Sequence, residues 1–288
     1  MKINFICLGA QKSGTTSFFN ILKQNPNIFL PLRKEIYYFN NDANYNKGLK
    51  WYYSFYKESN EKQILGDITP DYMLFLKSVK RIYKDLGEDT KLIFFLRNPA
   101  MRAYSQYYME LKYTEERYSF EKALLEEPKR VAKSYRNKMK YSYKERGFYY
   151  KQLKPYYDMF PKENIKVVIF EDFINNIEDN IIDIEKFLKV EPYTEYDYNI
   201  VSNKGYMPKK KWLAYIKRHF IRPISPIYNK IIPAKLRTKI RKISDTGKID
   251  IKKIDKITYN KLISEYMADI KQLEKLIQID LSIWYGNG

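Results

Sequence analysis

The chain has 288 residues, of which 44% are hydrophobic, and its 53 Lys and Arg against 34 Asp and Glu give a net charge of +19. This composition excludes a wholly disordered chain, and the single cysteine, Cys7, excludes an internal disulfide. The apolar stretch at the N-terminus is too short for a signal peptide, and no apolar run reaches the ~20 residues that span a bilayer. We therefore expect a soluble, cytoplasmic protein.

Apolar runs alternate with segments of helical periodicity along the chain. Continuous apolar character is typical of strands buried on both faces and predicts strands at 3–8, 91–96 and 165–170. Spacings of three to five between apolar residues predict helices at 15–24, 100–112, 120–127 (ending near Pro128), 145–160, 177–189 and 251–278. The alternation predicts an α/β fold with a parallel sheet flanked by helices.

A glycine-containing loop, GAQKSGTTS, joins the first predicted strand to the first predicted helix. The free amides and the dipole of a helix N-terminus make such a loop an anion site. Gly9 and Gly14 have the offset of the Walker pattern GxxxxGK[ST], but Thr15 follows Gly14 and the lysine is Lys12. The missing lysine–hydroxyl pair argues against Mg²⁺-dependent hydrolysis of ATP or GTP.

The stretch KLIFFLRNPAMRAYS is a second candidate anion site. It places Arg97 at the carboxyl end of a buried strand, which is where open α/β sheets bind ligands. Arginine binds phosphate through two parallel hydrogen bonds. Ser105 comes two turns into the following helix, so we expect it to face the same anion.

These two stretches resemble the 5′-phosphosulfate loop and the 3′-phosphate motif of the sulfotransferases that use 3′-phosphoadenosine-5′-phosphosulfate (PAPS). The resemblance implies a P-loop-NTPase-like fold, PAPS as sulfuryl donor and no metal. It implies that Lys12 stabilises the bridging oxygen and the sulfuryl group. A late Lys-Gly loop, NKGYMP, resembles a further family element, although Tyr206 stands where an Arg is often seen. The implied donor-binding residues are Lys12, Ser13, Gly14, Thr15, Thr16, Ser17, Arg97, Ser105, Lys204, Gly205 and Tyr206.

The stretch LRKEIYYF resembles the Lys-Glu-x-x-x-Phe segment of the heparan sulfate and related carbohydrate sulfotransferases, of the glucosaminyl N- and 3-O-type. The resemblance implies Glu35 as the general base, and a hydroxyl or amine of a carbohydrate as acceptor. GDITPDY resembles another family turn, but Ile68 stands where heparan-type members often carry a lysine. The residues implied on the substrate side are Lys34, Asp67 and Tyr38. We interpret the chain as a bacterial member of this family.

The segment 204–253 holds 16 Lys and Arg against Asp245 and Asp250. Such a surplus fits an anionic polysaccharide, a glycolipid acceptor at the inner membrane face or nucleic acid, and it also fits a solvated surface. We expect a sulfotransferase core at 1–206 and a basic, mainly helical C-terminal subdomain at 207–288 packed on it, with peripheral membrane contact through 204–253. His219 lies outside any motif and is interpreted as a surface residue.

Three alternatives stay open at this point. One is a P-loop kinase of a small metabolite, against which the missing Gly-Lys-Ser/Thr counts. Another is a basic nucleic-acid-binding protein, although the basic segment contains no recognisable module, so we expect no specific nucleic acid. The last is a protein that binds the nucleotide without catalysing transfer.

Overall fold

A computed structural model describes residues 2–113, 115–201, 206–208, 248–250 and 252–286. The chain forms two compact units. The first comprises Met1–Arg102, Lys144–Ser202 and Asn260–Gly288, and the second comprises Ala103–Tyr143 and Asn203–Tyr259. About half of the predicted C-terminal subdomain lies outside the described residues, and the domain boundary at residue 206 stays a prediction.

The first unit contains a five-stranded parallel sheet. Its strands, in chain order, are β1 (Phe5–Gly9), β2 (Ile28–Phe29), β3 (Ile64–Ile68), β4 (Lys91–Leu96) and β5 (Ile165–Ile169). They lie in the order β2-β3-β1-β4-β5, so β1 is central. The predictions of β1, β4 and β5 are confirmed, whereas the sequence analysis missed β2 and β3. Outside the sheet, β6 (Tyr206–Pro208) pairs antiparallel with β7 (Lys248–Asp250) in the second unit.

Eleven α-helices lie within the described ranges. They are α1 (Thr15–Leu22), α2 (Asp42–Tyr45), α3 (Gly48–Tyr53), α4 (Lys77–Leu86), α5 (Pro99–Lys112), α6 (Phe120–Val131), α7 (Tyr135–Tyr141), α8 (Tyr149–Tyr157), α9 (Phe170–Asn175), α10 (Ile177–Leu188) and α11 (Lys256–Ile277). Short 3₁₀ turns occupy Ser54–Tyr56, Glu145–Gly147, Lys162–Asn164, Tyr198–Val201 and Ser282–Trp284. None of these helices is both long and apolar enough to cross a membrane.

Two helix predictions need correction. α6 continues through Pro128 to Val131 instead of ending before the proline. Pro128 is exposed on the surface of the helix. The segment predicted as one helix at 145–160 begins as the 3₁₀ turn Glu145–Gly147, and α8 starts only at Tyr149.

Aromatic and aliphatic side chains from α1, α9 and α10 pack on one face of the sheet. Phe95 of β4 lies between Phe18 and Phe173, with ring centroids 4.8 and 5.0 Å away. Ile181 and Ile184 of α10 are fully buried in the same cluster, which confirms the apolar face predicted for that helix. This packing fixes the start of α1 and of α9 at the carboxyl edge of the sheet.

The C-terminal helix α11 packs against α8 within the first unit. Asp269 accepts hydrogen bonds from the backbone amides of Tyr150 and Lys151, at 2.9 and 3.3 Å. These amides belong to the first turn of α8, which has no intrahelical acceptor for them. Tyr266 packs edge-on against Phe148 at 4.9 Å. Asp269 thereby caps α8 from a distant part of the sequence.

Candidate active site

The glycine loop leaves the end of β1 and enters α1 at Thr15. Gly14 adopts a left-handed conformation, with φ of 88°, and a Cβ atom at this position would lie 3.0 Å from Cδ2 of Phe170. Glycine is therefore required here both by the backbone and by the packing. Because Gly14 carries no side chain to cap α1, the first-turn amides of the helix face the loop.

Two buried polar atoms of the loop have no hydrogen-bond partner among the described residues. They are the hydroxyl oxygen of Ser13 and the side-chain carbonyl oxygen of Gln11. An unsatisfied buried polar group costs about 1–3 kcal/mol. An anion oxygen in the loop would accept a hydrogen bond from Ser13, so this part of the loop fits a phosphate or sulfate group. Of the other predicted loop residues, Thr15 is buried, Lys12 and Ser17 are half-buried, and Thr16 is exposed.

Arg97 joins the end of β4 to the glycine loop. Its Nη1 donates a hydrogen bond to the carbonyl oxygen of Lys12 at 3.1 Å, and the guanidinium lies over the ring of Phe170 at 4.5 Å. Its Nε has no partner among the described residues. Burial lowers the pKa of Arg97 and the charge of Glu171 partly restores it. The two predicted anion-binding stretches thus lie side by side, since β1 and β4 are neighbours in the sheet.

Within the described residues, no hydrogen bond joins Arg97 to Ser105 or to the late Lys-Gly loop. Ser105 lies half-buried on the part of α5 that belongs to the second unit. Tyr206 begins β6, while Lys204, Gly205 and His219 lie outside the described residues. Their roles in donor binding stay predictions.

Glu35 lies in the loop between β2 and α2, with each carboxylate oxygen bonded. Lys34 Nζ lies 2.7 Å from Oε1, and the Tyr37 hydroxyl donates to Oε2. Burial alone would raise the pKa of Glu35, but the charge of Lys34 and these hydrogen bonds outweigh it and lower the pKa below its ordinary value. The carboxylate is therefore ionised at neutral pH, as a general base requires.

The turn that follows β3 holds the Glu35 loop in place. The backbone amide of Ile36 donates to Oγ1 of Thr69 at 3.1 Å, and that of Tyr38 donates to the Tyr72 hydroxyl at 3.1 Å. Glu35 has a φ of 67° and Tyr37 a φ of 57°, a conformation that L-residues seldom adopt. These cross-links hold the loop in that conformation.

Asp67 lies on β3 beneath the Glu35 loop and is fully buried. It accepts hydrogen bonds from the hydroxyls of Tyr52, Thr69 and Tyr72 at 2.9, 2.7 and 2.8 Å. Tyr38 is also buried, and its ring stacks on Tyr52 at 4.7 Å. Of the three residues predicted on the substrate side, only Lys34 lies beside Glu35 and partly exposed. Asp67 and Tyr38 lie in the layer that supports the loop.

A buried ion pair that the sequence does not predict lies near this loop. Arg146 Nη2 lies 2.5 Å from Oδ1 of Asp71, and the two side chains are only 3% and 1% exposed. The charge of Arg146 also contributes to lowering the pKa of Glu35, so a buried cation acts on this carboxylate. Asp71 has no assigned role in GDITPDY, and Arg146 lies within the helix predicted at 145–160, so the sequence offered no signal for the pair.

The glycine loop after the central strand of a parallel sheet defines a P-loop-like α/β fold. The sulfotransferase domain model matches residues 2–213, and the chain therefore belongs to the sulfotransferase domain family, as its motifs predicted. A crystal structure of a sulfotransferase from Alicyclobacillus acidocaldarius has a TM-score of 0.75 and 23% identity, covering 99% of both chains. In the part of the chain that the structure describes, no cluster of three or more His, Cys, Asp or Glu could hold a metal.

The names of two similar proteins refer to a carbohydrate substrate and to a membrane. Human heparan sulfate glucosamine 3-O-sulfotransferase 5 is 29% identical over 206 residues, covering 70% of this chain and 58% of that protein. Membrane-associated sulfotransferase kil1 of Dictyostelium discoideum is 34% identical over 133 residues, covering 43% of this chain and 28% of that protein. The chain thus spans little more than half the length of the first of these relatives. The family match favours sulfuryl transfer over the kinase alternative.

Proposed function

We propose that this sulfotransferase moves a sulfuryl group from PAPS to a hydroxyl or amine of a carbohydrate. The single observation that carries the donor assignment is the hydrogen bond from Arg97 to the Lys12 carbonyl. It brings together two cationic segments of the kind that a nucleotide with phosphate groups at both the 3′ and 5′ positions requires. Ordinary adenine nucleotides lack the 3′-phosphate and would leave Arg97 without its ligand.

The donor is divided between the two segments. Lys12, Ser13 and the first-turn amides of α1 hold the 5′-phosphosulfate, with the hydroxyls of residues 15–17 alongside. Arg97 holds the 3′-phosphate, with Ser105 as its predicted partner. The hydroxyl of Ser13 and the Nε of Arg97 support this division, because each is a buried donor with no acceptor among the described residues.

The chemistry is an in-line displacement at sulfur. The acceptor oxygen or nitrogen forms a bond to sulfur while the bond from sulfur to the bridging oxygen breaks, and adenosine 3′,5′-bisphosphate leaves with the electron pair. Glu35 takes the proton of the acceptor. Lys12 stabilises the negative charge that develops on the bridging oxygen. Lys34 and Tyr37 keep Glu35 ionised and oriented before the acceptor arrives.

An acceptor strip formed by Arg33, Lys47, Trp51 and Phe55 supports a carbohydrate substrate. Arg33 lies over the Phe55 ring at 5.7 Å and Lys47 over the Trp51 ring at 4.4 Å, and the two rings meet edge-on at 5.0 Å. Neither cation forms an ion pair with any described carboxylate, and Arg33 is two residues from Glu35. Cations held by aromatic rings remain available to the sulfates and carboxylates of an anionic saccharide, and the heparan sulfate relatives fit that class.

A membrane-bound glycolipid is a second form of the same acceptor. The charge of 204–253 motivates this part of the proposal, since each Lys or Arg near an anionic leaflet contributes about 1 kcal/mol of attraction. This segment lies mostly outside the described residues. We propose that the protein works in the cytoplasm, with peripheral contact at the inner face of the membrane.

Calorimetry with adenosine 3′,5′-bisphosphate, AMP, ADP and ATP, with and without Mg²⁺, tests the donor. We expect the bisphosphate to bind most tightly and independently of Mg²⁺. Equal or tighter binding of ATP with Mg²⁺ would instead favour a kinase. Transfer of labelled sulfate from PAPS to a panel of oligosaccharides, anionic and neutral, then identifies the acceptor.

A further inference from the structure

The 3₁₀ turn Ser282–Trp284 lies beyond the residues that the family model matches. Its Trp284 is fully buried and reaches the segment that follows β4. The side-chain amide of Asn98 donates to the carbonyl oxygen of Trp284 at 3.1 Å. The turn therefore contacts the residue next to Arg97.

Glu171, the second residue of α9, connects the same two places through its carboxylate. Its Oε1 accepts a hydrogen bond from the backbone amide of Asn98 at 3.0 Å. Its Oε2 accepts a hydrogen bond from Nε1 of Trp284 at 3.1 Å. A carboxylate bonded on both oxygens holds one orientation, so Trp284 fixes the acceptor that anchors Asn98.

Tyr149 of α8 also contacts both Arg97 and Trp284. Its hydroxyl donates to the carbonyl oxygen of Arg97 at 2.8 Å, and its ring lies 5.8 Å from that of Trp284. The backbone of Arg97 and Asn98 is thus held at the carbonyl of the first residue, and at the amide and side chain of the second. A long arginine side chain reaches a ligand reproducibly only if its backbone is held in this way.

We propose that Trp284 is a positioning residue that orients Arg97 toward the 3′-phosphate by way of Glu171 and Asn98. This inference rests on the proposed donor, and on Arg97 as the ligand of its 3′-phosphate. The hydrogen bonds that join Trp284 to Asn98 and Glu171 act on the segment that carries Arg97. Loss of Trp284 should therefore weaken recognition of the 3′-phosphate and leave recognition of the 5′-phosphate nearly unchanged.

The test is the ratio of the affinities for adenosine 3′,5′-bisphosphate and AMP, measured by calorimetry. Trp284→Phe keeps the ring and removes the N–H donor. We expect it to lower the ratio by about three- to tenfold. This is less than the effect of removing a direct hydrogen bond to the charged phosphate. The matched control is Tyr285→Phe, which removes the adjacent hydroxyl that donates to Glu274 at 2.7 Å and should leave the ratio unchanged.

Glu171→Gln is an independent test that keeps the aromatic packing. Asn98 and Trp284 donate to different oxygens of Glu171, and glutamine replaces one of those oxygens by an NH₂ donor, so one of the two hydrogen bonds is lost. We expect a lower ratio here as well. An unchanged ratio in this variant, or an equal loss of both affinities in both variants, overturns the positioning role. If the unmodified protein shows no preference for the bisphosphate, or if Arg97→Gln leaves that preference intact, the donor assignment itself fails.

Discussion

Lys34 and Glu35 are neighbours in the sequence and are also partners in space, with Nζ and Oε1 2.7 Å apart. Adjacent residues seldom face each other, and the pair forms here because Glu35 has a φ of 67°. The loop that adopts this conformation is cross-linked to the turn after β3. The ion pair with Lys34 and the positive φ of Glu35 thus together determine the electrostatic environment of the candidate base.

Replacing the carboxylate tests Glu35 as the base. Glu35→Gln keeps the shape of the side chain and removes the proton acceptor, so we expect turnover to fall by about 10²- to 10⁴-fold. The affinity for adenosine 3′,5′-bisphosphate should not change. The exposed Glu58 provides the matched control, and Glu58→Gln should behave as the unmodified protein. Normal turnover in Glu35→Gln would refute the assigned base.

The pH dependence of turnover tests the role of Lys34. A general base acts when ionised, so the rate falls as the pH drops through the pKa of Glu35. Because that pKa is lowered, we expect the acidic limb of the profile to lie below the ordinary range of a glutamate. In Lys34→Met the raising effect of burial prevails, and the limb should move to higher pH. Lys62→Met, at an exposed site, should leave it in place. A limb that does not move in Lys34→Met would contradict the pairing.

The glycine loop should tolerate no side chain at Gly14. Gly14→Ala introduces a Cβ atom 3.0 Å from Phe170 at a φ of 88°, and we expect at least about a tenfold loss of bisphosphate affinity. Gly48→Ala is a close control, since φ is 77° there but nothing lies within 4 Å of the added atom. Equal bisphosphate affinity in the two variants would show that the loop does not bind the donor.

The buried pair of Asp71 and Arg146 should matter to stability. Arg146→Met leaves a buried carboxylate without its partner, for which we expect a loss of about 3–5 kcal/mol in the free energy of unfolding, measured by urea denaturation. The double variant Arg146→Met with Asp71→Leu should recover most of it, because no charge remains buried. Lys154→Met, at an exposed pair with Asp158, should change stability little. A small effect of Arg146→Met alone would argue against the pair.

If the acceptor strip binds the saccharide, its loss should change KM and leave kcat unchanged. Arg33→Ala combined with Lys47→Ala should raise KM for an anionic oligosaccharide and leave kcat unchanged, since the proposed role of both residues is to bind the acceptor. The effect should shrink as salt is added. Lys50→Ala combined with Lys57→Ala removes the same charge from exposed positions nearby and should leave KM unaltered. Equal KM values in the two double variants would exclude the strip as a binding surface.

Local sequence sufficed to predict β1 and β4, the strands next to the two candidate anion-binding segments. β1 and β4 are mostly apolar runs, and β1 leads into the glycine loop while β4 is followed directly by Arg97. β3 was missed because Gly66 and Asp67 interrupt its apolar character. Asp67 is tolerated in a buried strand only because Tyr52, Thr69 and Tyr72 satisfy its carboxylate. Two of those hydroxyls arrive through tertiary packing, which no sequence pattern displays.

The parts of the site that escaped prediction share the same cause. Arg146 meets Asp71 across 75 positions of sequence, and Tyr37 faces Glu35 through a backbone angle that no residue type there demands. Motif resemblance named Lys12, Arg97 and Glu35 because each stands in a short contiguous pattern. Residues that act through long-range contacts are not part of a short sequence pattern, so the sequence alone does not identify them.

The bond between Asn98 and Trp284 joins residues 186 positions apart. On the ribosome, Arg97 and Asn98 emerge long before the turn Ser282–Trp284 that contacts Asn98. Contacts of such sequence separation form late, because the intervening chain must first be ordered. The support that Trp284 gives to Asn98 is therefore completed only after residue 284 has been synthesised, later than the parallel sheet and the glycine loop.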